Sequence, residues 1–275
     1  MTDRSALDPA FPPTTPVALD AARGPLGQHV YRALPELDRA GAISARLRDS
    51  IALGVIRTGD RLPSEAEMSE SFGVSPATLR DALAQLRDAG LVETRRGRNG
   101  GTFVVDAPEP SRRDVEDKLD AYSVVELRDI GDQRTAVSGM CARLAAARGN
   151  DDDAARLLRI AAALRGADSP GARARAHSRF WLELTVAAQS RRLLALELPL
   201  QLEIGELLWT PLTHPLDHLS VSDSLRAVAE AVADGDETLA TARVVERIRQ
   251  DAFHLIDEKL TLALARPQKG HDPHD

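Results

Sequence analysis

Between Ser75 and Arg98 the chain carries hydroxyl and guanidinium groups in a spacing that suits contact with a charged, hydrogen-bonding surface. Ser75, Ala77, Thr78 and Arg80 fall close together, and Arg95, Arg96 and Arg98 crowd around Gly97 in the run RRGRNGG. Arginine forks pair with phosphate oxygens and guanine edges, and small hydroxyl side chains hydrogen-bond to phosphates or to bases. No glycine-rich phosphate loop, G-x-S-x-G elbow or Cys/His cluster stands elsewhere in the sequence, so no bond-breaking constellation competes with this one. The chemistry on offer is recognition of a nucleic acid.

Those side chains need a scaffold, and the apolar spacing supplies one. Met68 and Phe72 recur at helical intervals, the pattern stops at Gly73, and it resumes through Leu79, Leu83 and Leu86. This predicts two short helices with a tight bend between them, a helix-turn-helix. Ser75 stands at the N-cap of the second helix and Pro76 at its first position, where a missing N–H is harmless. Thr78 and Arg80 then project from the first turns, the end of a recognition helix that meets base edges in a major groove. Gly90 is placed to close the helix in a left-handed conformation. Two β-prone runs follow, Leu91 to Thr94 and Thr102 to Val105, and the arginines lie on the tip between them, as in a wing. Upstream, Ile43 to Val55 reads as a supporting helix that packs Leu47 and Ile51 inward.

The segments LPSE, GVS, TLRDAL, LRDAGLV and RRGRNGGTFV, in this order and spacing from Ala42 to Asp106, resemble the winged helix of the GntR family of bacterial transcription regulators. The resemblance implies a DNA-binding regulator, most often a repressor. Two positions depart from the family pattern: Ala66 and Pro76 stand where arginines usually help hold DNA. Arg80 and the wing arginines Arg95, Arg96 and Arg98 are left to carry more of the contact.

The formal net charge is −7 over 275 residues. From Ala42 to Asp106 nine arginines face nine acids, so the head is neutral, but four of the arginines fall on the expected DNA face. A neutral single head makes few phosphate contacts and binds weakly at physiological salt, which predicts a homodimer on a palindromic double-stranded operator.

The length suits two domains, and an aromatic content of 3% requires a core of aliphatic helices. The expected class is mainly α: an N-terminal winged helix-turn-helix and a C-terminal all-α bundle. Residues 1–25, rich in proline, read as a disordered tail, 26–106 as the DNA-binding domain with an extra helix near 26–37, 107–112 as a linker, 113–266 as the bundle and 267–275 as a polar tail. Seven helical segments are expected within the bundle, separated at Gly149-Asn150, Gly166 to Pro170, Pro211 to Pro215 and Asp234 to Asp236. The single cysteine, Cys141, excludes an internal disulfide and reads as a small buried residue. No apolar run approaches the roughly 18 residues of a membrane span, and the expectation is a cytoplasmic protein without a membrane partner.

A winged head followed by such a bundle resembles the FadR-like branch of the family, whose second domain, called FCD, binds a small effector. The matching runs are DQRTAVSGMCARLAAAR, HSRFW and SLRAVAEAVADGD. Many members hold a divalent metal there with one Asp and three His. Laid onto this chain, those positions are His177, Trp181, Leu225 and Arg247, of which one can ligate, so the resemblance implies a site without metal or other cofactor. Arg134 falls at the family's ligand-facing arginine. Arg134, His177 and Arg247, with Trp181 and Leu225 as apolar wall, are therefore expected to line a pocket for an anionic small molecule such as a carboxylate. The plainer alternative makes Arg247 a surface charge and His177 a satisfied core histidine. Two other functional classes stay open: a helical enzyme that recruited a DNA-reading head, and an architectural dimer with no effector. His214 and His218 are four apart, but Pro215 lies between them and they read as loop residues.

Overall fold

The computed structural model describes residues 39–97, 100–105, 111–210 and 212–265; the expected tails, the extra helix near 26–37, Arg98 and most of the expected linker lie outside them. Within these bounds, local caps start most of the helices. α1 is Arg39–Ala52 and buries Ile43, Leu47 and Ile51 along one stripe. α2, Glu65–Phe72, opens with a capping box: the Ser64 N–H donates to Glu67 Oε2 at 2.8 Å and the Glu67 N–H returns to Ser64 Oγ at 3.3 Å. Gly73 then turns the chain with φ of 66°, a conformation that L side chains adopt at a cost of about 1 kcal/mol.

α3, Pro76–Asp88, begins at Ser75, whose Oγ accepts the Thr78 N–H at 3.2 Å. It ends at Gly90, where φ is 67° and two bonds close the turn, Gly90 N–H to the Arg87 carbonyl and Leu91 N–H to that of Leu86, both at 2.9 Å. β1 (Val92–Arg95) and β2 (Gly101–Val104) pair antiparallel with Val92 opposite Val104 and Arg95 opposite Gly101. The segment before α2 lies along β2 and adds a third edge, through Leu62 N–H to Thr102 and Val104 N–H to Asp60. The wing is thereby tied to the helices it follows.

The bundle holds seven helices among the described residues: α4 (Arg112–Asp120), α5 (Val124–Arg148), α6 (Asp151–Arg165), α7 (Pro170–Ala187), α8 (Arg191–Trp209), α9 (His218–Ala233) and α10 (Glu237–Ala265). Ser111 with Asp114, Ser123 with Glu126, and Asn150 with Asp153 form further capping boxes. Ser111 is thus an N-cap and Arg112 is helical, so the linker expected over 107–112 ends earlier: the cap oxygen satisfies an N–H that a linker would leave to water. α5 and α10 run together lengthwise, which small residues permit; a Cβ added at Gly131 would come within 3.0 Å of Ala252 Cβ. The core is aliphatic apart from Phe180, Trp181 and Trp209, and each buried Leu, Val or Ile contributes about 1.5–3 kcal/mol.

Head and bundle share apolar packing. Leu182 of α7 and Leu194 of α8 belong to the same buried cluster as Ile43, Leu47, Phe72 and Val104. Arg179 of α7 also donates to the Val55 carbonyl at 3.5 Å. The two domains are therefore docked, with part of the head's core supplied by the bundle.

Candidate functional site

Two places gather polar side chains toward a function. The first is the outer face of α3 and the wing. Ser75, Ala77 and Arg80 are exposed and Thr78 is half-buried, while Leu79, Leu83 and Leu86 on the opposite side are buried. Capping engages the first of the expected contacts: Ser75 Oγ lies 2.9 Å from Thr78 Oγ1 besides accepting its N–H, so these hydroxyls fix the helix start before they can meet DNA. Arg80 rests 3.6 Å from Glu65 of α2, an exposed pair worth little and easily exchanged for a phosphate. On the wing, Arg95 is paired with Glu93 at 2.6 Å and lies 4.5 Å over the Phe103 ring, whereas Arg96 is exposed and makes no ion pair among the described residues. Gly97, at φ of 112°, turns the tip. Arg95 therefore stiffens the wing, and Arg96 is its available cation.

The second place is inside the bundle. Arg134 of α5, His177 and Trp181 of α7, and Arg247 of α10 are all buried, so the view of Arg247 as a surface charge is overturned: α10 is packed lengthwise against α5 and flanked by α9, and Arg247 lies on its buried stripe. A residue unnoticed in the sequence joins them. Asp251, on α10 and wholly buried, accepts from Arg134 Nη1 at 3.1 Å and from Arg247 Nε at 2.9 Å, with Arg247 Nη2 2.7 Å away in the same ion pair. Burial alone would raise its pKa, but Arg247, Arg134 and His177 together hold it below the ordinary carboxylate range. Its signal in the sequence is an acid one turn after Arg247, on a stripe otherwise made of Val244, Ile248 and Leu255.

His177 Nε2 lies 3.8 Å from Asp251 and accepts the indole N–H of Trp181 at 3.1 Å, which places the imidazole proton on Nδ1. Burial, helped by the two guanidinium charges, pushes its pKa down to about 3, and the ring is neutral. Trp209 of α8, a second residue that sequence reasoning missed, meets the same imidazole edge-on at 5.6 Å; scarcity of aromatics is its only sequence signal. Arg134 Cζ lies 5.4 Å from the Trp181 ring centre. Leu225 is fully buried in the apolar core on α9, an aliphatic wall with no polar atom to offer.

Four buried groups in this cluster, Arg134 Nε and Nη2, His177 Nδ1 and Trp209 Nε1, have no hydrogen-bond partner among the described residues. All are donors. Nearby on α8, Glu197 is buried and accepts from Ser138 at 2.9 Å and Gln201 at 2.7 Å, with burial holding its pKa above the usual value. One imidazole and one carboxylate converge here with two guanidinium groups, and no group of three His, Cys, Asp or Glu able to hold an ion occurs among the described residues. His214 is instead a loop residue held by Glu258, which accepts from its N–H at 2.6 Å and from that of Thr213. Cys141 is buried, and desolvation pushes its thiol up to about 12, the behaviour of an inert core residue.

Residues 39–104 match the family described as bacterial regulatory proteins, gntR family, and residues 129–250 match the FCD domain. The HTH-type transcriptional regulator RmpR of Mycobacterium gastri is 46% identical over 248 residues, covering 88% of this chain and 89% of that protein. An HTH-type transcriptional regulator of Mycobacterium tuberculosis is 31% identical over 219 residues, covering 78% of this chain and 88% of that protein. Among solved structures, Escherichia coli McbR/YncC aligns with a TM-score of 0.48 and 16% identity over 80% of this chain and 98% of that one. The matched domains and named relatives are transcription regulators and not enzymes, which removes the reading of the bundle as a catalyst. An exposed recognition helix and wing docked on a helical FCD domain, with near-full-length similarity to such regulators, place this chain in the GntR family of bacterial transcription regulators.

Proposed function

We propose that this DNA-binding regulator acts in the cytoplasm as a homodimer on a palindromic operator, and that a small anionic or carbonyl-bearing effector enters the charge cluster of its bundle without help from a metal. The observation that carries the effector reading is the set of four unpartnered donors around His177. Buried donors without acceptors are unfavourable by about 1–3 kcal/mol each, and a carboxylate or keto group would satisfy several at once. Arg134 and His177 are the contacts, Trp181, Trp209 and Leu225 the apolar wall, and Arg247 positions Asp251.

Dimerisation is supported by α10, where Phe253, Leu260 and Leu264 leave an exposed apolar stripe, Phe253 being 69% exposed. Two heads on one site would supply the phosphate contacts that a neutral head lacks. No helix among the described residues is long and apolar enough to cross a membrane. By linkage, an effector that weakens DNA binding is itself bound less tightly on DNA.

A panel of small carboxylic and keto acids at matched ionic strength, read by thermal shift and by retardation of operator DNA, tests the reading. We expect at least one acid to raise Tm and to change retardation, and Arg134→Ala to abolish both responses. Metal analysis of the purified chain is expected to find less than one ion per chain. A second reading is favoured by Asp251, which already pairs with both arginines: the cluster would then be an internal brace in an architectural dimer. Absence of any shift across the panel, or a shift unchanged in Arg134→Ala, would overturn the effector reading of this cluster and leave the brace.

A further inference from the structure

Where head and bundle meet, a groove of 620 Å³ opens between the turn after α1 and helices α6 and α7. Its wall carries Arg57 of the head, Arg156 and Arg159 of α6, and Arg175 and Arg179 of α7. Asp168 and Glu183 are the two carboxylates among its lining residues and Asp153 pairs with Arg156 from just outside them, leaving an excess of two positive charges in a chain whose net charge is −7. Glu183 is buried and engaged by Arg156 at 3.6 Å and by Arg179, so its charge is already used. Arg57 and Arg159 are differently placed. Both are exposed and make no ion pair among the described residues; Arg159 Nε reaches only its own helix, at the Ala155 carbonyl. Between the arginines the floor is apolar, formed by Ile160, Ala163 and Ala176.

We infer that this groove is a second ligand site, for a phosphorylated small molecule whose body lies on the alanine floor. Several guanidinium forks around one concave surface match the many acceptor oxygens of a phosphate or pyrophosphate better than the two of a single carboxylate. The volume exceeds that of a bare phosphate and lies in the range of sites for metabolite-sized ligands. Because Arg57 belongs to the head and Arg159 to the bundle, a bound polyanion bridges the domains. It would reinforce contacts already made there by Arg179 on the Val55 carbonyl and by Gly54, whose backbone is pressed so close to Arg175 that an added Cβ would lie 3.0 Å from its carbonyl oxygen. Phosphorylated ligand would thus hold each head in one orientation against its bundle and bias the spacing of paired heads. The site is separate from the buried cluster and does not depend on the effector reading given for it.

The test uses the full chain and sodium pyrophosphate, with ionic strength held constant by sodium chloride. Pyrophosphate at about one hundred times its Kd is expected to raise Tm by about 5 °C. The rise should survive in Arg95→Ala/Arg96→Ala, which removes wing cations, and vanish in Arg57→Ala/Arg159→Ala. Ala163→Glu, an exposed change that places a carboxylate on the floor, should abolish it as well, so the result does not rest on one variant. Without pyrophosphate, both groove variants should retard operator DNA as the parent chain does. No shift in the parent chain, a shift retained in both groove variants, or weakened DNA retardation by those variants without pyrophosphate would overturn the proposal; the last outcome would make the groove a DNA contact instead.

Discussion

Replacing Asp251 by alanine should be among the most damaging single changes available in the bundle. Its two carboxylate oxygens receive hydrogen bonds from Arg134 at 3.1 Å and from Arg247 Nε at 2.9 Å, Arg247 Nη2 lies 2.7 Å away in the same ion pair, and the side chains of all three residues are at most 4% exposed. Asp251→Ala strands two guanidinium groups beside each other in a region that water does not reach. Breaking a buried pair in this way costs about 3–5 kcal/mol, because the remaining charge loses its solvent and its partner together. With two charges stranded the upper end applies, and at about 2–4 °C per kcal/mol for a chain of this size Tm should fall by about 10 °C or more. Urea unfolding followed by circular dichroism, with thermal melts in parallel, measures both. In a double-mutant cycle, Arg247→Met combined with Asp251→Ala should destabilise by about 1–3 kcal/mol less than the sum of the single changes, since the double variant strands only Arg134. Formate should restore part of the Tm of Asp251→Ala by filling the vacated place. A loss below about 1 kcal/mol, or strict additivity in the cycle, would refute the view of Asp251 as the shared counter-ion of this core.

Other measurements probe the remaining contacts. His177 titrates near 3 when folded and near 6.5 when unfolded, so the unfolded chain binds the extra proton and stability is lost as pH falls through 6.5. Between pH 7 and 5 this amounts to about 2 kcal/mol, opposed in direction by the raised pKa of Glu197, and His177→Gln should flatten the fall. Arg96→Ala should weaken retardation of all DNA sequences alike and reduce the slope of log K against log salt by about 1, whereas Arg80→Ala should lose about 1–3 kcal/mol chiefly on the specific operator. Leu182→Ala, which removes a bundle side chain from the head's core, should cost about 2–5 kcal/mol and loosen the head from the bundle, read as earlier protease cleavage between the two. Phe253→Glu should shift sedimentation toward the monomer and weaken operator binding with it.

Much of the architecture is legible without coordinates because its signals are short-range. Ser64 with Glu67, Ser75 with Pro76, Ser123 with Glu126 and Ser169 with Pro170 each open a helix within four residues, and Gly73 and Gly90 turn the chain where side chains would be strained. The exposure of Arg80 and Arg96 was readable for the same reason, since a cap, a helical stripe and a two-stranded wing leave both on the outside. Burial of Arg247 was not, because an arginine next to Glu246 and Arg249 on a long helix has the local appearance of a solvated face.

The sequence by itself determined the winged helix-turn-helix and the order of the bundle helices, and its resemblance to the family pointed to Arg134, His177 and Arg247. Only the tertiary structure decided that Asp251 shares its charge between two arginines 113 residues apart, that Trp209 faces His177, that Leu182 completes the head's core, and that Arg57 and Arg159 overlook one groove. A cap or turn is specified by neighbours along the chain. An ion pair between α5 and α10 depends instead on the rotation and axial register at which two helices pack, and that register is set by the combined fit of the whole core.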